Sequence, residues 1–334
     1  MNHVATVKEL ISHGLDPKAP ASGGALTLVP LFGGVPAKGY IVGADAFAGG
    51  LLSITEVDIN GDVTHLEAHN QAASPVLLID GEHLEGAKQN RILNATVLVA
   101  AQRTTTLPVA CVEQGRWHYE ARPDFVSSDD FAYGRLRSRN ASAKAENIRS
   151  SGSRAVDQGE VWDDVALKHN EAGSASMTGA MSDAFDHSRS ELDEMVAAFT
   201  EPQPGQTGVI ACVAGRPVAL DAFDRPETLS KLWPRLLSGY ALDALGHKPE
   251  QVSQASIRSF LDQASVATVT SHEGLSLGMD VVLTGPSIVG NALTWDEGVV
   301  HLALFARTED DSRQGHRASR IEAPSRRAVR RNHR

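Results

Sequence analysis

Cysteine is scarce in this sequence, with only two among 334 residues. Two cysteines are too few for a disulfide framework or a multi-cysteine zinc site. Cys111 and Cys212 each lie inside an apolar run. We therefore predict two buried, reduced thiols rather than catalytic nucleophiles.

Long hydrophobic runs are absent as well. No apolar stretch approaches the roughly 20 residues that a membrane-spanning helix needs. The first residues do not show the charged-then-apolar pattern of a secretory signal. These two absences predict a cytoplasmic protein that does not enter a membrane.

The sequence also lacks the short motifs that announce common cofactors and nucleophiles. It has no glycine-rich dinucleotide or phosphate-loop fingerprint, no H-E-x-x-H element and no G-x-S-x-G elbow. His65, Glu67 and His69 would share one face of a strand, but successive side chains on that face are about 7 Å apart. That spacing is too wide for one ion without bending, so we predict no metal site and no cofactor.

Positive charge is scarce in the main part of the chain. The net charge is −10, although residues 307–334 hold nine arginines against four acidic residues. An acidic body argues against broad nucleic-acid binding. The arginine-rich segment has almost no large apolar residues, which predicts a disordered basic tail.

What the sequence does contain is strand signals on both sides of a helical block. Short apolar runs and turn residues dominate before and after a helical block, with few βαβ signals, so we predict an α+β fold. It has an antiparallel β-rich N-terminal part, a central helical segment, and a C-terminal helix followed by a β meander. The predicted boundaries are an N-terminal extension at 1–24, one domain at 25–306 (β-rich 25–120, helical 127–200, α+β 207–306) and the tail at 307–334.

Two details of the helical part can be tested against a structure. Residues 135–154 are rich in basic and small polar residues, which indicates a linker or a helix exposed to solvent. The clearest helix has one apolar face between Leu229 and Leu245. Pro234 lies inside it and should kink the helix or split it in two.

Residues 81–91 form the first polar segment, which lies between two apolar runs. Dense polar groups at strand ends are where a rigid sheet usually presents chemistry. If the protein is an enzyme, Glu82 and Glu85 are the candidate general acid and base. The cations of this segment suit a phosphate, and its amides suit a sugar or base edge. The predicted ligand-binding residues are Lys88, Gln89, Asn90 and Arg91. The alternative is a turn held together by salt bridges.

Residues 113–117 form the second polar segment, just beyond another predicted strand. Arg116 can pair with an anion, and Trp117 can stack on a planar ligand. We add these two residues and Glu113 to the predicted ligand-binding set. The alternative is a tryptophan that packs over the end of the sheet.

Several stretches resemble the ARPP domain family, whose name stands for ADP-ribosylglycohydrolase (ARG) and rhodanese-phosphatase-superfamily-associated protein. The most specific of them is Ala87-Lys88-Gln89-Asn90-Arg91. The resemblance covers roughly residues 25–305 and implies a bacterial cytoplasmic protein close to the metabolism of NAD-derived nucleotides. It implies no particular reaction and no catalytic residues. The stretches that carry it are 28–33, 50–57, 81–91, 112–117, 158–162 and 232–240.

Three functions remain open from the sequence. The first is a binding protein or accessory factor for an ADP-ribose-like nucleotide. The second is a hydrolase of such a nucleotide, with Glu82 or Glu85 as general base. The third is a scaffold without a small ligand that serves an ADP-ribose-processing enzyme. The first two require the two polar segments to meet in one recess.

Overall fold

The computed structural model describes residues 2–58, 61–119 and 124–307. Apart from Arg307, the predicted basic tail lies outside the described residues. The α+β prediction is confirmed, because the described part combines helices with largely antiparallel sheets. None of its helices has the length and apolar character needed to cross a bilayer.

The helices are short at the N-terminus and longer in the middle of the chain. A π-helical turn, Leu10–Gly14, continues the first helix, so the predicted N-terminal extension is helical at its start. The helices are α1 His3–Glu9, α2 Gly43–Ala48, α3 Gly134–Ser151, α4 Gln158–Ala172, α5 Met181–Val196, α6 Pro226–Ala244 and α7 Gln254–Ser265.

Within the described residues the strands form three sheets, and one strand pair there, β4 with β7, is parallel. The strands are β1 Leu15–Pro17, β2 Ala21–Gly23, β3 Leu26–Gly33, β4 Ile41–Val42, β5 Leu52–Glu56, β6 His65–Asn70, β7 Val76–Leu78, β8 Glu82–Gly86, β9 Arg91–Leu93, β10 Val97–Val99, β11 Arg103–Cys111, β12 Phe125–Phe131, β13 Gly208–Val213, β14 Arg216–Phe223, β15 Thr268–Glu273, β16 Met279–Thr284, β17 Ile288–Trp295 and β18 Gly298–Ala306.

The largest sheet has nine strands and joins the two ends of the chain. Its order is β1-β3-β13-β14-β18-β17-β16-β15, with β2 also paired to β3. The predicted C-terminal meander is confirmed, because β15 to β18 pair in sequence. The strands β1 and β2 come from the predicted N-terminal extension and add to β3.

A six-stranded sheet in the order β12-β8-β9-β11-β6-β5 carries both polar segments. It curves until its edge strands β5 and β12 contact each other, so we call it the barrel. Its interior is filled by buried aliphatic side chains, and the small sheet β10-β7-β4 packs on the same core. Burial of this apolar surface, worth about 25 cal/mol per Å², holds the barrel together.

The helical segment differs from expectation in two places. Region 127–200 opens with the end of β12 before the first of its helices begins. The basic region 135–154 forms α3, and the expectation of a solvated surface is wrong for one face, because Leu136, Arg137 and Lys144 are buried. The partners of those charges lie on distant strands, which local spacing does not reveal.

Helix α6 passes through Pro234 without interruption, so it is not split in two. Its apolar face is buried as the periodicity predicts, with Leu229, Leu232 and Leu236 fully shielded. At Gly239 an added Cβ would lie 3.0 Å from the carbonyl oxygen of Ala132. The glycine therefore lets α6 approach the chain that follows β12.

A set of buried charges lies where α3 meets the sheets, and we call it the central ion network. Arg137 donates to Asp221 at 2.7 and 2.8 Å and to Asp80 at 3.2 and 3.3 Å. His301 contacts Asp221 at 2.9 Å, and the hydroxyl of Tyr240 donates to the same carboxylate. The network links α3 and α6 to strands β14 and β18 and to the chain after β7.

The charge of Asp221 survives complete burial because its partners outweigh the loss of water. Burial by itself raises the pKa of this carboxyl, but the charge and hydrogen bonds of Arg137 and His301 lower it far more. The pKa of Asp80 is lowered by the same balance. Both carboxylates are therefore ionised throughout the neutral range.

Candidate functional site

The first polar segment is the β8–β9 hairpin of the barrel. Leu84 pairs with Arg91 and His83 with Ile92. Gly86 turns the chain with a φ of +124°, and an added Cβ would lie 2.6 Å from the carbonyl oxygen of Asp124. Glycine is required at this position because any side chain would be both strained and obstructed.

The two polar segments meet in space. The backbone N–H of Asn90 donates to Glu113 Oε2 at 3.0 Å, and Gln89 Nε2 donates to the Glu113 carbonyl at 3.0 Å. Arg116 donates to Asn90 Oδ1 at 3.0 Å and to the carbonyl of Ala87 at 2.8 Å. The hairpin turn and the segment after β11 are therefore one hydrogen-bonded unit.

Glu113 and Arg116 form a buried ion pair at the centre of that unit. The guanidinium donates to both carboxylate oxygens, at 2.7 and 2.8 Å, and Thr178 adds a bond of 3.1 Å. Burial raises the pKa of Glu113, but hydrogen bonds from Arg116, Asn90 and Thr178 outweigh it, so the net pKa is lowered. The pair holds the geometry of the two segments.

A cleft of about 430 Å³ opens beside this ion pair. Such a volume lies within the range of small-molecule sites. Its polar walls come from the barrel on one side and from the start of α5 and the preceding loop on the other. The polar residues are Glu85, Asn90, Glu113, Arg116, Thr178, Ser182 and Asp183.

The two candidate catalytic carboxylates occupy different environments. Glu82 is fully buried, where it accepts from the backbone N–H of Ile79 at 2.9 Å and lies 3.4 Å from Arg235. Glu85 lines the cleft, has a side chain that is 40% exposed, and accepts from Ser128 at 2.6 Å. Only Glu85 of the two is reached by solvent in this structure.

His83 lies between these acids, and the sequence reasoning assigned it no role. Its side chain is fully buried, neither ring nitrogen has a hydrogen-bond partner among the described residues, and Nδ1 is 3.6 Å from Glu85 Oε1. Burial lowers its pKa from 6.5 to about 4 despite the nearby Asp130 and Glu113. The imidazole is therefore neutral at pH 7.

Two exposed aromatic side chains follow Arg116 in the second polar segment and just beyond it, and neither is among the residues that line the cleft. Trp117 is 44% exposed and Tyr119 is 45% exposed. The ammonium of Lys88 lies 5.3 Å from the Trp117 ring centroid and 5.6 Å from that of Tyr119, which is cation–π distance. Arg91 lies 5.8 Å below the same tryptophan.

Arg91 is buried far more deeply than a surface ligand contact would be. Its side chain is 0% exposed, and only Nη1 is hydrogen-bonded, to Gln89 Oε1 at 3.1 Å and the Asn90 carbonyl at 3.4 Å. Within the described part of the chain, Nε and Nη2 have no partner. Burial lowers the pKa of this guanidinium, and the charge of Glu56 opposes that effect.

The histidine-carboxylate trio of the sequence lies on β6 and is engaged locally. His69 contacts the hydroxyls of Thr55 and Thr104 at 3.1 and 2.9 Å. His65 contacts Asp62 at 2.9 Å. These bonds tie β6 to its neighbours.

The fold and site together define an α+β protein in which a barrel hairpin, the segment after the barrel strand β11 and the start of α5 line a polar cleft. Residues 14–305 match the family model of the ARG and Rhodanese-Phosphatase-superfamily-associated Protein domain, ARPP-1. The chain belongs to this family. Comparisons with curated proteins and with solved structures gave no match.

Proposed function

We propose that this chain is a binding protein or accessory factor for a nucleotide of the ADP-ribose class, acting in the cytoplasm. The observation that supports the proposal most is the convergence of the two polar segments on one cleft, with the exposed Trp117 directly following Arg116, which lines that cleft. The family name, which links these domains to ARG proteins, points to the same ligand class.

Each part of such a nucleotide has a suitable counterpart at the site. The cleft offers the carboxylates of Glu85 and Asp183 and the amide of Asn90, which accept from or donate to ribose hydroxyls. Trp117 offers a face for stacking of a base, worth about 1–3 kcal/mol. Lys88, beside that face, supplies positive charge for a phosphate.

Arg116 and Gln89 have a supporting role in this proposal. The Arg116 guanidinium already donates to Glu113, Asn90 and backbone carbonyls. Gln89 holds Glu113 and Arg91. Both side chains therefore fix the positions of the groups that face the ligand.

The direct test is thermal melting with ADP-ribose, NAD and AMP at millimolar concentration. A ligand that binds only the folded state must raise the melting temperature. Trp117→Ala should weaken binding by about tenfold, because it removes the stacking face. Leu167→Ala, at another exposed apolar residue, is the control and should leave binding unchanged. Absence of a shift with every nucleotide would contradict the proposal.

A hydrolase of the same nucleotide is the second candidate, supported by the position of Glu85 in the cleft. In that case Glu85→Gln should abolish product formation and keep nucleotide binding. Wild-type protein that binds a nucleotide and never converts it would exclude this candidate. A scaffold for an ADP-ribose-processing enzyme would give neither binding nor turnover.

A further inference from the structure

Two charged side chains meet at one end of the barrel interior, and neither is fully satisfied. Arg91 pairs across the sheet with Leu84, and Glu56 pairs with Leu66. Leu84 and Leu66 belong to the interior core, and paired residues share a face of the sheet. Arg91 and Glu56 therefore face the barrel interior, Arg91 as the first residue of β9 and Glu56 as the last residue of β5.

The unsatisfied atoms are complementary in chemistry. Arg91 has two N–H groups, on Nε and Nη2, without an acceptor, and both carboxylate oxygens of Glu56 lack a donor among the described residues. All four atoms are shielded from solvent. Each buried polar group without a hydrogen bond costs about 1–3 kcal/mol of folding free energy, and charged groups cost more. Buried polar groups left unpaired in this way call for an explanation, and a binding partner that pairs with them is one.

The surroundings favour a planar partner over a phosphate. Glu56 repels an anion bound at the Arg91 guanidinium, so Arg91 is a poor phosphate ligand although it is cationic. Trp117 lies over Arg91 at 5.8 Å and presents a ring for stacking. An added Cβ on Gly61 would lie 3.2 Å from Glu56 Oε2 and 3.3 Å from Lys88 Nζ, so the chain covers this end closely.

We propose that Arg91 and Glu56 recognise a planar edge that offers a hydrogen-bond acceptor beside an N–H donor. Arg91 donates to the acceptor, Glu56 accepts from the N–H group, and Trp117 stacks on the plane. A carboxamide and the amino edge of adenine share this chemistry. The assignment rests on the proposed nucleotide-binding function, and it states which part of the nucleotide this end of the barrel reads.

Two matched ligand pairs test the assignment by titration calorimetry. Nicotinamide mononucleotide and nicotinic acid mononucleotide differ only in carboxamide against carboxylate. AMP and purine riboside 5′-monophosphate differ only in the 6-amino group. In one pair or both, we expect the ligand with the N–H donor to bind at least tenfold more tightly. Purine riboside 5′-monophosphate leaves Glu56 without a donor, and the carboxylate of nicotinic acid mononucleotide is repelled by Glu56. The pair that shows the preference identifies the source of the edge.

Glu56→Gln removes the charge and keeps the shape of the side chain. It should reduce the preference at least fivefold, whereas Glu67→Gln, on the next strand, should leave it unchanged. Nucleotide binding without a preference in either pair would overturn the assignment and leave the proposed function intact. A preference that Glu56→Gln does not alter would also overturn it. Failure of all nucleotides to bind would overturn both.

Discussion

The central ion network and the end of the barrel both bury an arginine completely, but they satisfy it differently. Every guanidinium nitrogen of Arg137 donates to a carboxylate of Asp80 or Asp221. Arg91 leaves two nitrogens without a partner in the described part of the chain, close to a carboxylate that is equally unsatisfied. The two arginines therefore differ in how many of their N–H groups have an acceptor within the described residues.

The difference separates structural charge from charge available for recognition. A buried network in which all groups are paired specifies how helices and sheets fit together. A buried charged group without hydrogen-bond partners lowers the free energy of unfolding, so its presence calls for an explanation other than stability. Both arginines are buried, so it is their hydrogen-bond partners, and not their burial, that distinguish them.

The largest expected effect is at the network. Asp221→Asn leaves Arg137 without its main counter-charge, and breaking a buried pair in this way costs about 3–5 kcal/mol. Urea unfolding should show this loss in the free energy of unfolding. Asp193→Asn, at an exposed position on α5, is the control and should change it by less than about 0.5 kcal/mol. Equal effects of the two substitutions would contradict the structural role of the network.

An intermediate effect is expected at His83, through pH. Its pKa is lowered from 6.5 to about 4 by burial, so below pH 6.5 the unfolded chain binds a proton that the folded chain does not. The contribution of the neutral His83 imidazole to the free energy of unfolding is therefore fully present above pH 6.5. It decreases as the pH falls toward 4. Between pH 7.5 and pH 5 this loss amounts to about 2 kcal/mol.

The variant His83→Gln should remove that part of the pH dependence. The free energy of unfolding would be measured by urea titration at pH 7.5 and pH 5 for the wild type and the variant. His187→Gln, at an exposed histidine, serves as the control. A pH dependence equal in wild type and His83→Gln would mean that the imidazole is solvated in both states.

The smallest effect is expected at Arg91. Arg91→Met removes two unpaired N–H groups, and replacing an unsatisfied buried charge with an apolar side chain is often neutral or stabilising. The free energy of unfolding should change by less than about 1 kcal/mol. A loss comparable to that of Asp221→Asn would show that Arg91 is satisfied in solution, and the contrast between the two arginines would then disappear.

Periodicity and turn signals were enough to predict the α+β class and the C-terminal meander. They act locally, and each strand of the meander pairs with its neighbour in sequence. The nucleotide hypotheses required the two polar segments to meet, but the sequence did not predict the β8–β9 hairpin that brings them together. The predicted ligand-binding roles of these segments remain a proposal.

The central ion network was not predicted, because its members come from five different segments of the chain. Asp221 and His301 each stand inside an apolar strand, and Arg137 lies in a region that reads as solvated. A charged residue within an otherwise apolar run was the available signal. It indicates that a buried partner exists but does not say where the partner is.

The pairing of β3 with β13 sets an order of events during synthesis. Val29 lies opposite Ile210, so β3, which has β1 and β2 on one edge from the start, acquires the partner on its other edge only after β13 has been made. Contacts of such long sequence separation form slowly. Until then an apolar strand edge stays open to other chains, which makes this early segment the part of the nascent protein most in need of a chaperone.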